Sequence, residues 1–175
     1  MSSTTSSPWE TRFYSNGYLL LDTPLPGVTD YLQRLQAAGA YIVYLTGRDR
    51  PRSEGGTIAV LRLHGCPVPN NQSVKLIMKD RVPDVSGLDE KAAMDAKVQS
   101  DADFKKRARE EINGLGCVVA SFDDAAKNAE SNYRNFHDSE NGGIGSAVLI
   151  YTTPERVGTP HSEVKVINGF LLAGQ

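Results

Sequence analysis

The sequence predicts an α/β domain with a doubly wound, mostly parallel sheet in a three-layer arrangement. Apolar runs of strand length recur along the chain, and amphipathic stretches of helix length separate them. Two of those runs, Tyr41-Ile-Val-Tyr-Leu-Thr-Gly-Arg48 and Cys117-Val-Val-Ala-Ser-Phe-Asp-Asp124, end abruptly in polar residues. That is how strands end at the carboxyl edge of a parallel sheet, where open α/β folds bind ligands.

In chain order, residues 1–12 read as a flexible tail and 13–175 as the folded domain. Thr23-Pro-Leu-Pro-Gly27 punctuates the chain before a helix whose apolar stripe is Val28, Tyr31, Leu32, Leu35 and Ala38, with Gly39 as its stop. A strand follows over Tyr41 to Leu45. Asp49 to Gly56 reads as a polar loop carrying Arg50 and Arg52, followed by a short helix through Ile58 and Leu61 to Gly65. Val74 to Met78 is the next strand, ending at Lys79.

Residues 80–100 are a solvated helix or an insertion, because Asp89 to Lys97 has helix formers but little apolar stripe. A clearer helix is expected from about Asp101, with Phe104, Ala108, Ile112 and Leu115 on one face. After the strand that ends at Asp123-Asp124, a helix carries Ala125, Ala129, Tyr133 and Phe136. Ser146 to Tyr151 reads as a buried strand, and Val164 to Ile167 as an edge strand.

The 175 residues are 39% hydrophobic and 23% charged, which suits one globular domain with a real core. A formal net charge of −2 gives no long-range attraction for nucleic acid or an anionic membrane. A small ligand is the better expectation, and any phosphate specificity must be local. Cys66 and Cys117 lack metal spacing and argue against a disulfide framework, and Cys117 reads as a core residue. No run reaches the roughly 18 apolar residues of a membrane span, so a cytoplasmic location is expected.

The chemistry concentrates at the two strand ends. At the first, Thr46 offers a hydroxyl, Gly47 lets backbone approach, and Arg48 supplies a cation, the components an oxyanion needs. The plain alternative is a strand that ends in Thr-Gly merely to turn, with Arg50 and Arg52 simply solvated. At the second end, Asp123 and Asp124 suit magnesium, which takes oxygen ligands and keeps several waters. One of the pair is expected to cap the following helix; the assignment is Asp123 as ligand and Asp124 as cap or outer ligand.

A strand-terminal Thr, then a lysine, then a strand-terminal acidic pair resembles the second, third and fourth motifs of the haloacid dehalogenase superfamily. The resemblance runs from about Phe13 to Phe170 and includes Asn16-Gly-Tyr-Leu-Leu-Leu-Asp-Thr-Pro-Leu-Pro-Gly27 ahead of the Tyr-Leu-Thr-Gly-Arg strand. It implies a Rossmann-like fold and magnesium-dependent hydrolysis of a small phosphorylated molecule. Thr46 would bind phosphate, Lys105 would neutralise it, and Asp123 with Asp124 would bind magnesium. Lys105 is preferred to Lys106 and Lys79 because it follows Phe104 at a helix start.

The family's first motif, Asp-x-Asp-x-Thr, which supplies the aspartyl nucleophile and the acid/base, is not in this sequence. The expectation is therefore a catalytic portion that is truncated or degenerate, and weak or inactive alone. Laying Phe13 to Leu19 over the motif would put Tyr14 and Asn16 in place of the aspartates, a dead enzyme. Alternatively, Tyr18 to Asp22 is the central strand with Asp22 as a lone catalytic carboxylate; the competing reading makes Asp22 a turn residue before Thr-Pro.

The missing motif also leaves a gap in the expected sheet. Leu19 to Leu21 fills it, the Thr-bearing and Asp-bearing strands pair directly, or another chain does so, giving self-association through unpaired strands. A different functional class is a non-catalytic phosphate-ligand-binding or regulatory module. A receiver domain fits less well, since its acids would precede the Thr and Lys. His64, His137 and His161 show no metal spacing and read as structural or surface residues.

Overall fold

A computed structural model describes residues 16–138, 140, 142–150 and 162–170. The expected tail over 1–12, Tyr14, Tyr151 and His161 lie outside the described residues. The described chain is α/β and divides into two compact units. The first holds the described residues up to Pro24 and Val28–Lys105; the second holds Leu25–Gly27 and the described residues from Lys106 onward.

In the first unit, α1 (Asn16–Leu19) is followed by α2 (Val28–Ala37), β1 (Ile42–Asp49), α3 (Arg50–Leu63) and β2 (Val74–Lys79). A long helix, α4 (Glu90–Leu115), crosses the unit boundary after Lys105. α2 ends at Gly39, whose φ of +83° favours glycine. The Gly39 N–H donates to Gln36 O and the Ala40 N–H to Leu35 O, both at 3.0 Å, the Schellman pattern that satisfies the last carbonyls. The chain then enters β1, which pairs with β2 in parallel, Ile42 to Leu45 lying opposite Val74 to Ile77. Ile42, Val74, Leu76, Ile77 and Met78 are all buried on this sheet.

Two sequence expectations for this unit are corrected and one open alternative is decided. Arg50 to Gly56 is not a loop but the first half of α3, because the Asp49 carboxylate caps the helix by accepting the Arg52 N–H at 3.2 Å and Pro51 suits the first turn. Tyr18 to Asp22 is not a strand: α1 ends at Leu19, which is buried where α1 packs on α3. Leu21 and Asp22 then turn, their N–H groups donating to Tyr18 O and Leu19 O at 3.0 Å. The helix expected from Asp101 begins at Glu90 instead, where the Asp89 carboxylate accepts the Ala92 N–H at 2.8 Å. Residues 90–100 are therefore the solvated start of α4, and its apolar face is buried only from Phe104 through Ala108 to Ile112.

In the second unit, β3 (Ala120–Asp123), β4 (Ser146–Ile150) and β5 (Lys165–Ile167) form a parallel sheet in the order β3-β4-β5. Between β3 and β4 lies α5 (Ala126–Asn132), which continues into one π-helical turn (Tyr133–His137). Central β4 is the most buried strand, and Ala147 and Leu149 pack with Ala129 and Val164. Cys117 is exposed rather than part of this core, because β3 starts three residues later than its apolar run suggested.

Among the described residues, β1 pairs with β2 alone and β3 with β4 alone. Neither Leu19 to Leu21 nor a direct β1–β3 ladder fills the gap expected beside the Thr-bearing strand. No helix among the described residues is long and apolar enough to cross a membrane.

Candidate functional site

The β1–β2 ladder breaks where the sequence places its oxyanion residues. Leu45 lies opposite Ile77 and the next pair is Asp49 with Lys79, so Thr46, Gly47 and Arg48 stand against Met78 alone. Such bulges bend a strand and re-aim its side chains, and they are frequent beside active sites. Inside the bulge the Arg48 N–H donates to Thr46 Oγ1 at 3.3 Å. Among the described residues no heavy atom beyond its chain neighbours comes within 4 Å of where a Cβ on Gly47 would stand, so the backbone there is open to approach.

Arg48 and Asp22, expected separately, come together: the guanidinium meets the carboxylate at 2.9 Å. His64 holds the same residue by its backbone, Nε2–H donating to Asp22 O at 3.0 Å. Asp22 is thus a tethered turn residue at the bulge. At the end of the bulge, Asp49 is 2% exposed and grips Arg52, accepting from Nε at 2.8 Å and Nη2 at 2.6 Å. Asp49 was invisible in the sequence because an acid before Arg-Pro-Arg looks like ordinary loop chemistry.

Lys79, opposite Asp49 in the register, is buried at the carboxyl end of β2 and ion-paired with Asp101 on α4. Burial pushes its amine below the usual lysine range, the neighbouring Lys105 ammonium pushes it further, and Asp49 opposes them. Lys105 is half-buried and near enough to Lys79 to disfavour its charge, whereas Lys106 is exposed.

In the second unit, Asp123 ends β3 and its Oδ1 accepts the Ala125 N–H at 2.9 Å and the Asn128 Nδ2–H at 3.1 Å. The cap position of α5 is Ala125, without a side-chain cap, so neither aspartate serves as the expected N-cap. Behind them, buried Arg109 donates from Nε to Asn132 Oδ1 at 3.1 Å. Burial lowers the Arg109 guanidinium's hold on its proton, and the Asp123 carboxylate counters that. Two adjacent carboxylates with an amide beside them are oxygen donors of the kind magnesium takes, with water and phosphate completing its shell. Among the described residues no group of three or more His, Cys, Asp or Glu side chains is clustered as a metal cage.

One polar pair had no sequence signal, since its members are far apart in the chain. His137 is buried and its Nδ1–H donates to Ile144 O at 2.6 Å, which leaves Nε2 to accept the Ser121 hydroxyl at 2.9 Å. Both ring nitrogens are satisfied, the arrangement of a structural histidine.

No family model, curated protein or solved structure matches this chain.

Proposed function

We propose that the chain is the catalytic portion of a haloacid-dehalogenase-like, magnesium-dependent phosphohydrolase acting on a small phosphate monoester, on a Rossmann-like three-layer fold. The observation that carries the reading is the bulge: Thr46, Gly47 and Arg48 leave the ladder together at the carboxyl end of a parallel strand. In this reading Thr46 and the open backbone at Gly47 contact phosphate, Arg48 steers it, and Lys105 neutralises it. Asp123 and Asp124 hold magnesium, with Asn128 orienting Asp123.

The nucleophile is the part this chain lacks. Asp22 sits in a turn with its carboxylate on Arg48, and no acid among the described residues stands on a strand beside β1. The chain alone is therefore weak or inactive, and the edges of β1 and β3 that carry no partner strand among the described residues suit pairing with another strand, including one from a second copy. The same pairing of Asp22 with Arg48 favours a second reading, a non-catalytic phosphate-binding or regulatory module, because the arginine already has an internal counter-ion. A cytoplasmic location accords with either.

The test pairs hydrolysis with binding. Magnesium-dependent hydrolysis of phenyl phosphate is measured for the wild type, Asp22→Asn and Asp123→Asn, and inorganic phosphate binding for the wild type and Thr46→Val. The reading expects negligible turnover by all three proteins, and phosphate binding that Thr46→Val weakens about tenfold. Robust turnover abolished by Asp22→Asn would make Asp22 the nucleophile. Phosphate binding indifferent to Thr46 would remove the site from the bulge.

A further inference from the structure

The ion pair between Lys79 and Asp101 is lopsided. The lysine side chain is 10% exposed and the aspartate side chain 54% exposed. A buried ammonium at the end of a strand is costly unless an anion answers it, whereas a carboxylate that water already reaches loses little when it swings away. The fixed member of the pair is the cation and the replaceable one is the anion.

Asp101 is also accompanied. Lys105 stands four residues further along α4, on the same helix face one turn away, so the element that delivers the carboxylate to Lys79 delivers a second ammonium with it. The two lysines lie close enough for Lys105 to disfavour the charge on Lys79. Asp49, across the ladder from Lys79, is taken by the Arg52 guanidinium through two contacts. Phe104, the residue before Lys105 on α4, is 7% exposed.

We propose that Lys79 and Lys105 form a binding position for a phosphate group, and that the Asp101 carboxylate occupies it as an internal stand-in which an incoming phosphate displaces. The inference rests on the reading of the β1 carboxyl end as a phosphate site and adds its regulation: the site carries its own counter-ion, Asp101. Phosphate and carboxylate compete for the same ammonium protons, and a dianion uses both lysines where Asp101 carries one charge.

Calorimetric titration with inorganic phosphate and with phenyl phosphate tests this on the full chain, comparing the wild type with Asp101→Asn, Asp101→Ser, Lys79→Met, the Asp101→Asn/Lys79→Met double variant and Thr46→Val. Both Asp101 variants are expected to bind about fivefold tighter, what a half-exposed ion pair withholds. Lys79→Met should cancel that gain. Equal gains for the two ligands mean that the phosphate group alone is recognised; a gain for phenyl phosphate alone means that the ester is. Unchanged or weaker binding in the Asp101 variants overturns the proposal. If Thr46→Val weakens binding while the Asp101 variants change nothing, the phosphate site stands and the stand-in falls. If the Asp101 variants gain while Thr46→Val is silent, the lysine position stands and the bulge reading falls.

Discussion

The guanidinium of Arg48 lies 2.9 Å from the Asp22 carboxylate, so the cation of the bulge is neutralised by the turn that follows α1. Asp22 is exposed in that contact and the arginine is less so. An ion pair of this kind contributes little to folding. Asp22→Asn is expected to change unfolding free energy by less than about 1 kcal/mol in urea titration. A larger loss would mean that the turn is held by the carboxylate rather than by His64 on its carbonyl.

Asp49 does two jobs at once, capping α3 and neutralising Arg52 from a buried position. Replacing a cap alone costs about 1 kcal/mol, and leaving the guanidinium without its buried acceptor adds to it. Asp49→Ala should therefore destabilise by about 2–3 kcal/mol, read as a lowered urea midpoint at unchanged slope.

Lys79 links stability to alkaline pH. Its folded-state affinity for a proton is lowered by burial and by Lys105, while in the unfolded chain it titrates near about 10.4. Between those two values the unfolded state binds more protons, so the contribution of this group to stability rises with pH across that window and is flat on either side. The urea midpoint of the wild type minus that of Lys79→Met should climb through the window. A flat difference would contradict the depressed amine.

Ser53 is fully buried in the second turn of α3, and its hydroxyl has no hydrogen-bond partner among the described residues. Ser53→Ala removes that unmet group and places a better helix former at the same volume. Stabilisation by about 1 kcal/mol is expected, measured by thermal or urea unfolding.

Gly145 precedes β4 with a φ of +86°, and a Cβ there would fall 2.0 Å from the Val119 carbonyl oxygen. Backbone cannot yield as a flexible side chain can. Gly145→Ala should cost about 3 kcal/mol or more in the second unit. Wild-type stability in this variant would show that the approach of the two segments is looser than described.

The elements that were readable are those whose pattern is local. The stripe from Val28, the Gly39 stop, the Val74 strand ending at Lys79 and the acid pair closing β3 each follow from periodicity or a nearby breaker. What escaped the sequence depends on partners remote in the chain. Nothing near Lys79 announces Asp101, and nothing near Ser121 announces His137. Asp22 admitted two readings, strand end or turn residue, because Leu19, Leu20 and Leu21 are consecutive; one turn of helix sends Leu19 inward while Leu20 and Leu21 remain exposed, and the turn reading holds. The helix that starts at Arg50 was hidden by Pro51 and two glycines, until Asp49 is recognised as its cap.

The bulge divides β1 into stretches under different mutational constraint. Ile42 to Leu45 sit in continuous register with β2, and their replacement disturbs packing at once. Thr46 to Arg48 are three residues set against one, Met78, on the partner strand. Changes there alter what the strand end presents without shifting the ladder before it, because sites without shared partners vary nearly independently. Such a strand can acquire a new ligand preference at its tip while its base keeps the fold, a route to divergence that an unbroken ladder would close.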